Sequence, residues 1–199
     1  MLIRARPALA AIFAIGFVYA FHSEGFDHLW QKHILDNFTL PVLGTLDAVV
    51  WFGIISLGAS ALSLILSEVI RRRVDLRDHR ATARALLAIY ALLPLGIFAF
   101  SLTGDFAAAL VAYGLVMALR SAGDPVGKAW LNQNLQPGIR ATMFSVSSQV
   151  GAFGEIVGGP PIGAIGRSFG LRAALAASGA VLALTLPLFG LALRRSPRD

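Results

Sequence analysis

Cysteine is absent from the chain, which excludes a disulfide framework and any thiolate metal site. Charge is scarce as well: Asp, Glu, Lys and Arg make up 14% of the residues, against about 25% in soluble domains. No phosphate-cradling glycine loop, nucleophile elbow or paired-histidine zinc motif occurs. Ser60 lies in Gly58-Ala59-Ser60-Ala61, without the second glycine of a rhomboid-type intramembrane serine protease. An enzyme, a cofactor and a bound metal are therefore not expected. The net charge of +6 comes from basic residues lying between apolar segments, so no continuous basic face is left for nucleic acid.

What the chain has in excess is apolar surface. Its residues are 56% hydrophobic, above the roughly 45–50% of soluble proteins, and a lipid bilayer supplies the second apolar solvent this requires. Spans of ~20 residues can be drawn at 7–24, 45–67, 85–103, 106–130, 144–166 and 172–193, separated by Pro41 and Gly44, Gly104-Asp105, Pro137-Gly138 and Gly170. The expected fold is an all-α membrane protein, a single six-helix transmembrane domain over 1–199. The first apolar run, Ala8 to Phe21, follows Arg4 and Arg6 like a signal peptide. No small-x-small cleavage site comes after it, so a retained span is expected.

Lys and Arg set the orientation. Arg4 and Arg6, then Arg71, Arg72, Arg73, Arg77, Arg80 and Arg84, then Arg120, Lys128 and Arg140, then Arg194, Arg195 and Arg198 fall on one side; only Lys32, Arg167 and Arg172 fall on the other. Both termini are thus expected in the cytoplasm of a bacterial cell, with the chain in the inner membrane.

Several residues carry candidate function. In the second span Gly53, Ser56, Ser60, Ser63 and Ser67 share one helical stripe; a packing seam and a substrate-lining face both fit it. In the fifth, Gly151, Glu155, Gly159 and Gly163 recur at steps of four, and Gly154 and Gly158 form a second small pair beside them. Pro160-Pro161 removes two backbone donors, so a kink or break is expected there. A Glu in hydrocarbon is expensive and faces a cavity or a partner, which makes Glu155 a candidate proton carrier or a structural bond. Arg120, Asp124 and Lys128 stand one turn apart and can form a charge ladder, either snorkelling at the interface or coupling to transport. At the end of the first span, Glu24 and Asp27 are candidates to face a central cavity. The five-residue step from His28 to His33 is wrong for two metal ligands on one helical face.

At these residues the chain resembles the C-terminal six-helix half of a major facilitator superfamily transporter. The resemblance rests on Glu24-Gly25-Phe26-Asp27-His28-Leu29-Trp30, on Trp130-Leu131-Asn132 through Arg140-Ala141-Thr142, and on the glycine-rich run Gln149 to Gly166. It implies alternating access with substrate near the midplane between two halves, proton-coupled drug or metabolite efflux, and a pathway through Glu155, Glu24, Asp27, Arg120, Asp124 and Gln149. His28 stands where such relatives carry Arg, and the 68–84 connection lacks the family's Gly-x-x-x-Asp-Arg pattern. The N-terminal half is missing from the sequence, so a second six-helix half or a homodimer is the expected partner, beside the bilayer and a small-molecule substrate. The alternatives are a non-transporting membrane subunit or an inactive truncated fragment.

Overall fold

The computed structural model describes residues 7–41 and 47–195; the sequence-based assignments for Arg4, Arg6, Gly44 and Arg198 lie outside them. The described residues form helices α1 (Pro7–Asn37), α2 (Ala48–Arg73), α3 (His79–Leu102), α4 (Phe106–Gln133), a single 3₁₀ turn (Pro137–Ile139), α5 (Arg140–Phe169), α6 (Leu171–Ala183) and α7 (Thr185–Arg195), with no strand among them. Asp78 and Asp105 start α3 and α4 by accepting from the backbone N–H groups of Arg80 (2.8 Å) and Ala108 (2.7 Å), which satisfies otherwise orphaned donors of each first turn. Gly170 turns the chain from α5 into α6 at φ 88°, a left-handed conformation that favours glycine.

Three expected boundaries differ. The first helix does not end near residue 24 but runs three turns further, to Asn37. Its late polar residues are matched: Glu24 pairs with His28 and Lys32 with Asp36, both at 2.9 Å, while Phe26, His33 and Ile34 are fully buried. The last span is two helices. Pro187 in the first turn of α7 has no N–H to return to the carbonyl of Ala183, and Thr185 Oγ donates to the Leu182 carbonyl instead (2.6 Å). Third, α5 continues as helix through Pro160-Pro161 to Phe169, so of the expected kink or break, the break is not there. Gly158 and Ile162, buried on either side of the prolines, clamp that stretch onto α1, and this packing offsets the two lost hydrogen bonds.

The helices pack as a bundle in which α1 lies against α5, α6 and α7, α3 against α4 and α6, and α2 against α4. The α1–α5 contact is the tightest. A Cβ on Gly154 would sit 2.7 Å from the Phe17 carbonyl oxygen, and one on Gly158 would overlap the Phe21 carbonyl. Backbones approach this closely only through glycine. The close pair is therefore Gly154 and Gly158; Gly151 and Gly163 have open space beside them, and Gly159 meets only the Glu24 side chain, at 3.4 Å.

Five stretches are long and apolar enough to cross a membrane: Leu9–Asn37, Ala48–Arg73, His79–Leu102, Phe106–Gln133 and Leu171–Ala192. The chain is a multi-pass membrane protein. At one end of the bundle the Gln133 amide of α4 donates to the Leu76 carbonyl (2.8 Å), tying the α4 terminus to the α2–α3 connection. At the far end of α3, His33 donates to the Phe100 carbonyl (3.2 Å), and Arg172 donates to Asn37 (3.0 Å). Lys32, Arg167 and Arg172 line one hollow at that far end, apart from the arginines that close α2.

Candidate functional site

A cleft of about 330 Å³ opens between α1, α3, α4 and α5. Three polar stripes reach it, each at the four-residue step that keeps side chains on one helix face. Tyr19 and Ser23 line it from α1, Arg120, Asp124 and Lys128 from α4, and Ser147, Gly151 and Glu155 from α5.

Arg120 is the most connected of these residues. Its side chain is only 15% exposed, and both guanidinium arms meet the Asp27 carboxylate, at 2.5 and 2.7 Å. Its Nε donates to the Tyr19 hydroxyl (3.2 Å). The same cation stands 6.0 Å from the Tyr19 ring centre and 5.8 Å from that of Phe26, within cation–π range. A buried charge is tolerable only when paired and hydrogen-bonded, and the planar fork of arginine meets a carboxylate with two parallel bonds. This ion pair ties α1 to α4 across 93 residues of sequence.

The expected three-member ladder on α4 is therefore corrected. Lys128 does reach Asp124 (2.7 Å), but Arg120 turns to Asp27. The bidentate geometry available across the helix gap outcompetes a same-helix contact worth only about 0.2–0.5 kcal/mol.

Glu155 is exposed and lines the cleft with no ionic or hydrogen-bonding partner among the described residues. Gln149 does not line it; it is exposed on a shallow apolar groove along α1 and α5 with Phe17 and Phe153. Glu24 packs over Gly159 and pairs with His28 instead of entering the cleft. On α2, Ser56 and Ser60 are exposed, and only Ser63 of the stripe is buried, bonded to the Ala59 carbonyl (2.8 Å). The seam facing α4 is Ile55, Ala59 and Ser63, and Ser63 can join it because its hydroxyl is satisfied within its own helix. Arg71 and Arg72 both grip Glu68, while Arg73 and Arg140 are exposed. The histidines are dispersed: His22 donates from Nδ1 to Ser178 (3.1 Å) while Ser178 donates to the His22 carbonyl (2.9 Å). His28 meets Glu24 and His33 meets Phe100. Among the described residues no group of three metal-ligating side chains converges.

Tyr19, Tyr90, Ser147 and the His22–Ser178 staple were not singled out from the sequence. The repeat of polar residues at 19, 23 and 27 was the available signal for the first of these.

No family model matches the sequence, and no curated protein matches it. Among solved structures, the chain is similar to the in meso crystal structure of the POT family transporter PepTSo, with a TM-score of 0.73 at 12% identity. That transporter has the major facilitator fold. The match covers 97% of this chain and 40% of the transporter's, so the chain spans well under half the length of the protein it resembles.

Proposed function

We propose that the chain is a six-span half of a major facilitator secondary transporter, and that its cleft is half of a substrate pathway completed by a second six-helix body. The observation that carries this reading is the convergence of three polar stripes on one cleft, in a bundle shaped like part of a transporter. Transport explains why the membrane-spanning helices keep charged residues, which are costly in hydrocarbon unless they line a pathway or pair with one another.

The sixth span in this reading is α5. Its 30 residues are ~45 Å long at 1.5 Å per residue, ample for a bilayer core of ~30 Å. Its glycine, serine and Glu155 lower its hydropathy, as suits a helix held between α1 and α6 on one side and a second half on the other. The exposed Ser56 and Ser60 of α2 and Gln149 of α5 are the polar positions that such a half would cover. The charge asymmetry of the connections supports a topology with both termini in the cytoplasm, the chain lying in a bacterial inner membrane.

Within this reading Glu155 exchanges a proton for substrate, and Asp27–Arg120 and Asp124–Lys128 are the charge pairs that rearrange as access alternates. Glu155→Gln keeps size and hydrogen bonding but fixes the group neutral. In inverted membrane vesicles holding the assembled protein, it is expected to abolish transport driven by a pH gradient while leaving expression at wild-type level. Wild-type proton-driven transport by this variant across the pH range would remove Glu155 as the coupling site.

A further inference from the structure

The charges around the cleft do not cancel evenly. Of the four charged side chains that line it, Arg120 is neutralised by Asp27, which is not part of the lining, and Lys128 is neutralised by Asp124. Glu155 is left unpaired among the described residues, so the cleft with its paired groups carries one uncompensated negative charge. An anionic substrate would have to break an existing ion pair to find a cation. A cationic one finds its counter-charge already free.

The remaining wall supplies what a desolvated cation needs. Tyr90 packs against Tyr19 at 5.6 Å and against Phe189 at 5.0 Å, and Trp130 stacks on Phe189 at 5.3 Å. Tyr19, Tyr90 and Trp130 line the cleft, joined by Phe144 of α5. Aromatic faces attract cations through their quadrupole, most strongly where water is excluded. Apolar groups contribute most of the lining, and the volume of about 330 Å³ matches the low end of small-molecule sites.

We infer that the cleft takes a small organic cation with an apolar or aromatic body, held by Glu155 against the Tyr19–Tyr90–Trp130 wall. This rests on the transport reading above and names the substrate class for the same site.

The test compares two molecules of one shape: benzyltrimethylammonium and its neutral carbon isostere, neopentylbenzene. Binding of each to the full-length protein in lipid nanodiscs is measured by equilibrium dialysis and read as the difference between wild type and Glu155→Gln, which cancels partition into lipid. The cation is expected to lose affinity by up to about fivefold in Glu155→Gln, the upper end of the scale of an exposed charge pair, and to recover in Glu155→Asp. The isostere is expected to be indifferent to both changes. Cation binding that is absent, or equal in wild type and Glu155→Gln, overturns the assignment of the substrate class. That outcome leaves the transport reading standing, because transport is tested separately, by the movement of substrate in the vesicle assay and by the mass of the transporting species.

Discussion

Arg120 shows how one side chain sets the terms for its neighbours. Its place midway along α4, not in the connection with which the charge count grouped it, makes its charge costly, and three bonds to Asp27 and Tyr19 offset that cost. Arg120→Lys replaces a planar fork with a point charge and is expected to lose the Tyr19 bond and one arm to Asp27. Asp27→Asn is expected to be worse, since it leaves a mostly buried guanidinium without a counter-charge. A penalty of about 1–3 kcal/mol is expected for losing the charged partner, its lower part favoured because Asp27 is 47% exposed. Thermal unfolding in detergent measures both. Midpoints equal to wild type for the two variants would mean that the pair does not hold α1 to α4. The His22–Ser178 staple gives the contrast in scale: interhelical hydrogen bonds between neutral groups in membranes average only about 0.6 kcal/mol, so Ser178→Ala is expected to be mild beside Asp27→Asn.

At the scale of the element, the α1–α5 seam depends on two absent side chains. A leucine at 158 has nowhere to go, because the Phe21 backbone already fills the space where its Cβ would start. Gly158→Leu is expected to separate the two helices and sharply lower the yield of folded protein, whereas Gly163→Leu, which faces open space, should be tolerated. Equal yields for the two would contradict the seam. The sequence made this half-legible. Gly154 and Gly158 stood out as a small-residue pair, but nothing in their spacing ranked them above Gly151, Gly159 and Gly163, because only the partner helix decides which glycine face is used. The existence and order of the long apolar helices were readable from hydropathy. The true length of α1 was not, because Glu24, Asp27, His28 and Lys32 look like the end of a span until their partners are known. The serine stripe of α2 was half-legible for the same reason: the face pressed on α4 is offset from it and shares only Ser63 with it. Within the site, the residues of α4 and Glu155 were legible as charges in apolar runs. The pairing of Arg120 with Asp27, 93 positions away, needed the fold.

For the whole molecule, the asymmetry of Lys and Arg has a geometric counterpart in the bundle, where Lys32, Arg167 and Arg172 gather at one end. Cysteine introduced at Arg77, exposed in the α2–α3 connection, and at Thr39, exposed just beyond α1, is expected to react from opposite sides of the membrane. An impermeant thiol reagent should reach Thr39→Cys in intact cells and Arg77→Cys only after lysis; equal labelling of both in intact cells would refute the topology. The central claim is that the cleft is half a pathway that needs a second six-helix body. The mass of the transporting species tests it most directly. Native mass spectrometry of the purified protein, paired with transport by the same preparation in liposomes, should find activity only in assemblies well above the 21.1 kDa of one chain, as a homodimer or with a second six-span subunit. Robust transport by a preparation that is demonstrably a 21.1 kDa monomer would contradict it.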